Sequence, residues 1–583
     1  MNPAGDDGRA PAARGPRQAA AGVVRVLSPR GSLTLHPVDG AFTFALRAAL
    51  AMALPALVLA ATGRTEQAVY AMLGAFTTTF GRNLPYRRRA GALALVALAM
   101  TACVGTGSAL AAWAQPRAGG VAVVVVATAL VAGAAKYACD AARLGGLGAV
   151  LLLFAFAAAA NGTSTPADVL PHTALAAAGA ALAWALAMAG RLVHPDRPQR
   201  LAVAAALRAL AALWDTPGAD HDGRRRHRAT AAVLRAHHAL GLLPRAAGGE
   251  RHGGVCVRLT DLSWSLLIGS ATRPPDDPAA LARQLRDQAR ALADRRRRVP
   301  PLLLDPASWT AGTPTGRGAG ARTLPAAPTG AGFRAAELVA GRHPGGPGHR
   351  SVLLVPALRM ALGTALAGGA ASALGLGHGY WAAVSAAAVL HSINVRTATQ
   401  RAVQRTLGTA AGLVLALAIL ALAPGPGVLV AVIVVLEFLL EYVVPRNYGL
   451  GVVFLTPLAL LMTDLTAPEA AGTLVADRAL ASVLGIVVGL LCGLLVVHDR
   501  AVVRVERALA ACTAAAAQAE RALDGDRTAA FGGAQARLAV AVVELREADD
   551  AAAGEVWRAE IDPAELAAAE ARAHRLLERF ARG

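Results

Sequence analysis

Residues 42–62 read FTFALRAALAMALPALVLAAT, and residues 352–375 read VLLVPALRMALGTALAGGAASALG. Each run is long enough to cross the ~30 Å hydrocarbon core of a bilayer as a helix, which takes about 20 residues. Each holds a single charge, Arg47 in the first and Arg359 in the second, five to seven residues in. Further charge-poor runs lie near 67–80, 90–114, 119–135, 147–160 and 173–190. A second series lies near 380–394, 406–423, 427–444, 449–463 and 479–497. The expected fold is therefore all-α: a polytopic membrane protein of two parallel six-helix repeats, about 12 transmembrane helices, with additional helical domains.

Composition agrees. Of 583 residues, 55% are hydrophobic and 16% charged, and the mean hydropathy is +0.46. Soluble domains carry about 25% charge, so a chain of soluble domains is excluded. A formal charge of +19 would suit nucleic acid, but the placement of the arginines argues for membrane topology and anionic lipid instead. With the N-terminus inside, the inner loops hold Arg82, Arg87, Arg88, Arg89, Arg143, Arg396, Arg401, Arg405 and Arg446. Arg64, Arg117 and Arg478 fall at outer loops or their edges. This bias puts both termini and the central block in the cytoplasm. Membrane lipid is an expected partner and nucleic acid is not; the oligomeric state stays open.

The two series share landmarks in order. Leu46-Arg47 answers Leu358-Arg359, Tyr70 answers Tyr380, and Arg88-x-x-Gly91 answers Arg405-x-x-Gly408. Leu147-Gly148-Ala149-Val150 answers Leu450-Gly451-Val452-Val453, and Leu192-Val193-His194 answers Val496-Val497-His498. The offsets stay between 303 and 317, as a duplicated unit requires. The expected organisation is a disordered N-terminus over 1–40, a membrane repeat over 41–194 and a helical cytoplasmic domain over 195–304. A Pro/Gly-rich linker over 305–350, a second repeat over 351–498 and a helical tail over 499–583 follow. The first forty residues show no signal peptide, so the run from Phe42 is expected to be retained. Helical spacing marks Pro198–Trp214, Arg226–Leu243 and Pro278–Arg298; in the tail, Gly525 and Gly532-Gly533 mark breaks.

An arginine near mid-bilayer costs ~2.5–3.5 kcal/mol and faces protein, water or an anion. Arg47 and Arg359 are accordingly candidates for a positive collar, the competing role being snorkelling to the headgroups. The second, fifth, eighth and eleventh runs are only 14 or 15 residues, and short spans at matching places point to a central site. Pro457 interrupts the eleventh. Tyr380 and Trp381 offer aromatic surface for a substrate or an interfacial anchor. Glu437 and Glu441 share one face of the tenth span and are candidates for proton coupling or a structural pair with Arg446. Gly485, Gly489 and Gly493 form a packing stripe whose first-half counterparts are Ala181, Ala185 and Ala189.

No cofactor or metal is expected. The five cysteines are scattered without a C-x-x-C pair, and the histidines at 221, 227, 237, 238 and 252 lack ligand spacing. There is no phosphate loop, since Gly316-x-Gly318-x-Gly320 lies in a Pro-rich stretch. No enzymatic activity is expected.

The second half carries Tyr380-Trp381-Ala382-Ala383, Arg396-Thr397, Arg405-Thr406-Leu407-Gly408-Thr409, Arg446-Asn447-Tyr448 and Thr456-Pro457. These motifs resemble the fusaric acid resistance (FUSC) family of bacterial membrane transport proteins, which includes aromatic acid exporters. The resemblance covers 352–498 well and 42–194 loosely, where Ala71 and Gly145 replace the Trp and Tyr of the second half. A more distant similarity is to plant aluminium-activated malate transporters. The resemblance implies an anion path, and Arg47, Arg359, Tyr380, Trp381, Arg405, Arg446, Tyr448 and Thr456 are its candidate residues. The expected function is secondary efflux of a small organic anion such as an aromatic carboxylate. The rivals are a passive anion channel of the same fold and a membrane-anchored scaffold acting through its extramembrane helices.

Overall fold

A computed structural model of the chain describes residues 35, 38, 40–82, 84–114, 117–142, 144, 148–162, 164–215, 219–240, 254–269, 277–296, 301–303, 349–392, 395–495, 500–524, 530–552 and 562–582. The described residues hold helices and no strand. The first membrane unit comprises α1 (Ala41–Ala61), α2 (Ala68–Ala75, extended by a 3-10 turn Phe76–Thr79), α3 (Tyr86–Ala114), α4 (Gly120–Ala141), α5 (Gly148–Ala160) and α6 (Val169–Val193). The second comprises α11 (His349–Ala373), α12 (Tyr380–Leu390), α13 (Val395–Ala421), α14 (Pro426–Val443), α15 (Tyr448–Thr466) and α16 (Ala471–Leu495). Between them run α7 (Arg197–Trp214), α8 (Ala219–Leu240), α9 (Gly254–Gly269) and α10 (Pro278–Ala293). After them come α17 (Arg500–Asp524), α18 (Ala530–Ala552) and α19 (Pro563–Arg582).

Every apolar run of the sequence holds a helix, but among the described residues nine are long and apolar enough to cross a membrane. The other three are α2, α5 and α12, of 8, 13 and 11 residues. At 1.5 Å per residue they reach only ~12–20 Å. A helix that is apolar all round is a buried one, and every residue of α2 and α12 is buried. Neighbouring helices, not lipid, therefore surround these short segments. The expectation of a short eleventh span needs correction: α15 runs for 19 residues. Its start is fixed by Asn447, whose Oδ1 accepts from the Gly449 and Leu450 amides at 2.8 and 3.3 Å. Pro457 sits inside it without ending it.

The helix pairing of the two units corresponds. In the first, α1 packs on α2 and α6, α2 on α6, α3 on α5 and α6, and α4 on α5. In the second, α11 packs on α12 and α16, α12 on α16, α13 on α15 and α16, and α14 on α15. Across the units the contacts are reciprocal: α1 lies on α14 and α4 lies on α11. The closest approaches also correspond. A Cβ on Gly179 of α6 would stand 2.0 Å from the Ala71 carbonyl oxygen, and one on Gly485 of α16 would stand 2.2 Å from that of Ala382. The first-half counterpart of Gly485 is therefore Gly179, two residues from the alanine that spacing predicts. Backbone contact at this range admits no side chain.

Helices α7–α10 and α17–α19 share a second apolar core, which includes Leu207, Leu210, Leu285, Leu538 and Leu577. The central block and the tail, far apart in sequence, thus pack as one body. At its edge Arg200, fully buried, donates from Nε to the Leu292 carbonyl at 3.1 Å and from Nη2 to that of Asp294 at 3.1 Å, closing the end of α10. The His194 ring lies 2.9 Å from the Arg295 carbonyl oxygen, tying the end of α6 to the same point. Helix α9 was not expected from its spacing, and Gly532-Gly533 lies inside α18 instead of breaking it. Gly525, most of the N-terminal forty residues and residues 305–348 lie outside the described set; His349 and Arg350 open α11. All five cysteines are free.

Gly485→Val is expected to cost about 2–3 kcal/mol, because the added methyls meet backbone that cannot yield. Gly472→Ala, on the same helix with nothing within 4 Å, is expected to stay within about 0.5 kcal/mol of the parent. Thermal unfolding in detergent micelles measures both.

Candidate anion-binding site

The short helix α12 carries Tyr380, Trp381 and Ser385 between α13 and α16. From α13, Arg405 donates from Nη1 to the Tyr448 hydroxyl at 3.1 Å and from Nη2 to Ser385 Oγ at 3.1 Å. From α16, Arg478 lays its guanidinium over the Trp381 ring, with Cζ 3.6 Å from the centroid. Trp381 in turn lies tilted against Tyr380 at 4.5 Å and stacks on Phe154 of α5 at 5.6 Å. The Tyr380 hydroxyl reaches Thr463 Oγ1 at 3.3 Å. Arg401, one turn before Arg405, has its Cζ 5.4 Å from the Tyr448 ring centroid. Arg405 lies ten residues, ~15 Å, from the start of α13 and Arg478 seven residues, ~10 Å, from the start of α16.

Both guanidinium groups are almost wholly enclosed, Arg405 1% and Arg478 2% exposed, and each lies within the other's electrostatic field. Among the described residues no carboxylate pairs with either. Arg405 Nε, Arg478 Nε and Nη1, and Trp381 Nε1 are buried without a hydrogen-bond partner. The magnitudes decide how to read this. Each buried arginine costs ~2.5–3.5 kcal/mol. A desolvated cation–π contact returns about 2 kcal/mol and applies to Arg478 alone. Each of the two hydrogen bonds that Arg405 donates is charge-assisted and returns about 1.5–3 kcal/mol. The burial of Arg405 is thus offset, and the uncompensated charge is that of Arg478. Two like charges side by side add repulsion. The cluster is electrostatically incomplete, and an anion held by both guanidinium groups would complete it.

The remaining candidates fall elsewhere. Thr456 is buried against Gly412 of α13, where a Cβ would come within 2.7 Å of it. Arg446, at the end of α14, covers the Tyr442 ring at 4.0 Å and donates to the Tyr442 carbonyl; its charge acts on Arg82. Arg47 and Arg82 flank the Phe44 ring, at 4.9 and 4.2 Å. Both act on Glu441 of α14, which accepts from Thr79 Oγ1 at 2.8 Å. Arg359 reaches the Ser392 carbonyl from Nη2 at 3.4 Å. Arg47 thus stands at the interface of α1 with α14, while Arg359 meets the end of α12 and acts on Cys492 of α16 inside the second unit, and the structure does not bring them together. Tyr380, Trp381, Arg405 and Tyr448 it does.

Sequence reasoning missed Arg478, Ser385 and Phe154. Arg478 was assigned to an outer loop edge by counting arginines, yet α16 begins at Ala471 and encloses it. Arg401 and Arg405, counted as inner-loop residues, also lie inside a helix, α13. The usable signal was the duplication itself. Arg478 precedes Gly485 by seven residues, and His172 precedes Gly179 by seven. His172 stacks on Tyr70 at 3.5 Å and neighbours Ser108 and Ser164 at 3.4 and 3.5 Å. A buried ring over the first-half tyrosine therefore occupies the place that Arg478 takes beside Tyr380 and Trp381.

Comparison with known proteins assigns residues 366–492 to the fusaric acid resistance protein-like family. That segment runs from α11 through most of α16 and contains the Arg405–Arg478 cluster. The chain is also 31% identical over 215 residues to the uncharacterized membrane protein YvaC of Bacillus subtilis (strain 168), an alignment covering 36% of this chain. It spans 33% of the length of that relative. No solved structure matches the chain.

In anion-free buffer Arg478→Gln is expected to cost less than about 1 kcal/mol, since it removes an unpaired buried charge together with its stacking on Trp381. Benzoate at a hundred times its Kd is expected to stabilise the parent by about 2.7 kcal/mol and to leave the variant unmoved. Differential scanning fluorimetry reads both.

Proposed function

We propose that the protein is a secondary transporter that exports small organic anions, of the aromatic carboxylate kind, across the cytoplasmic membrane. The observation that carries the reading is the pair Arg405 and Arg478, buried in a membrane bundle with no carboxylate paired to either among the described residues. Fixed positive charge of this kind is held in reserve for a ligand that arrives with its own negative charge. Trp381, with Tyr380 and Phe154 against it, supplies a flat apolar wall beside the charges, suited to a carboxylate borne on a ring. Arg401, Arg405 and Arg478 make a ladder along which the anion advances from one face toward the other. Phe154 belongs to the first unit and Trp381 to the second, so a relative movement of the units changes the wall of the site. That is the behaviour expected of alternating access around a central site.

The arginine bias supports a cytoplasmic placement for both termini and for the α7–α10 and α17–α19 body. On this reading the two membrane units are parallel repeats, and their reciprocal contacts α1 on α14 and α4 on α11 support it. Efflux of a carboxylate is also favoured by the membrane potential, by about 2.3 kcal/mol per charge per 100 mV.

Inside-out membrane vesicles and radiolabelled benzoate test the reading. Vesicles containing the protein are expected to accumulate benzoate above the external concentration when energised. Arg405→Gln and Arg478→Gln are each expected to lower the initial rate about 10- to 100-fold, the value of one charge-assisted contact. Accumulation no greater than the membrane potential alone sustains would make the protein a passive anion channel; uptake equal to that of vesicles lacking the protein would remove the transport reading.

A further inference from the structure

We propose that Glu437 and Glu441 form a proton-binding site at the interface between the two membrane units, through which anion export is exchanged for protons. Both carboxyl groups stand on one face of α14, a turn apart, and are 1% and 2% exposed. Helix α14 packs on α1 of the other unit, where Phe438 meets Phe42 edge-on at 5.6 Å. The two carboxyls are not equivalent. Glu441 accepts a hydrogen bond from Thr79 Oγ1 at 2.8 Å, and Arg47 and Arg82 both act on its charge. Glu437 lies a turn deeper. Its Oε2 is buried without a hydrogen-bond partner, and the charge that acts on it is that of Glu441.

The groups around the pair divide the work. From α1 comes Arg47; from the turn after α2 come Thr79 and Arg82. Arg89 and Tyr86 of α3 act on Arg47, and Arg446, at the end of α14 itself and held on Tyr442, acts on Arg82. Asp464 on α15 and Glu66 in the turn Thr65–Gln67 stand toward the other face. Glu441 is thus matched to cations and can stay ionised. Glu437 faces no cation, and an ionised carboxylate there would sit unpaired beside a like charge in a low-dielectric interior. It holds a proton in this arrangement of the units. The interface that encloses it lies between the units, so a movement of α14 against α1 would bring Glu437 to water or to Arg47 and let the proton go. Movement of that kind is also what the anion site requires, and this is the physical link between the two. For an exporter the proton runs inward down its own gradient as the anion leaves, so the coupling is exchange. The coupling rests on the transport reading above; the proton site does not.

Dicyclohexylcarbodiimide, which adds to protonated carboxyls in apolar surroundings, tests the site in membranes containing the full chain. Peptide mass spectrometry on samples labelled from about pH 5 to about pH 9 is expected to find the adduct on Glu437 in the parent protein and to lose it in Glu437→Gln. In inside-out vesicles with an acidic lumen, Glu437→Gln is expected to lower benzoate accumulation at least tenfold. An unlabelled Glu437 throughout that pH range overturns the proposal, and so does pH-driven accumulation in the variant equal to the parent. Labelling of Glu437 in a protein that moves no benzoate would sustain the proton site while removing the transport reading.

Discussion

Positive charge enclosed in an apolar bundle without a counter-charge is the constraint around which the second membrane unit is organised. Water would stabilise Arg405 and Arg478 and lipid would not, so both must be surrounded by protein. The surroundings are specific. Tyr448 and Ser385 hold Arg405, and Trp381 takes the face of Arg478. The shortness of α12 lets its residues be buried on every side, and the contact at Gly485 presses α16 onto it close to Ser385. Each feature would be wasteful if the arginines only stabilised the fold, because apolar residues of similar size would do so at lower cost.

The two units share a packing plan but not a chemistry. Gly179 and Gly485 make equivalent contacts, and the helix pairs correspond one by one. Where the second unit lays Arg478 over Trp381, the first stacks His172 on Tyr70. Where α14 carries Glu437 and Glu441, the aligned positions of α4 are Ala134 and Ala138. The first unit answers with Arg47, Arg82 and Thr79, which act on Glu441 across the interface. Each unit thus lacks what the other supplies at the α1–α14 contact, and Phe154 completes the aromatic stack on Trp381 from the first side. A duplicated scaffold with divergent sites makes the interface between the units the place where function concentrates.

Much of this was legible in the residues. Apolar runs located all twelve membrane-unit helices because hydropathy is a local property. The paired landmarks exposed the likeness of the halves for the same reason. Tyr380, Trp381, Arg405 and Tyr448 could be singled out from motifs, and three helices meet around them. Other parts depend on facts no local pattern holds. Arg478 looked like a loop residue because a charge near the end of a run shortens the run that is read, while its burial comes from α12 and α13. The shared core of α7–α10 with α17–α19 joins segments hundreds of residues apart. Arg47 and Arg359 match in sequence, yet Arg47 acts on Glu441 of α14 and Arg359 on Cys492 of α16, a difference set by helix packing. Helix α9 escaped because Val255, Val257, Thr260 and Trp264 suit strands as well as helices.

The central claim is that Arg405 and Arg478 jointly hold an anion beside Trp381. Anomalous diffraction from the protein crystallised with 4-iodobenzoate addresses it directly. The account predicts an iodine peak against the Trp381 face and carboxylate density within hydrogen-bond reach of both guanidinium groups. A bound ligand located elsewhere, with those two side chains unchanged and still enclosed by protein alone, would contradict it.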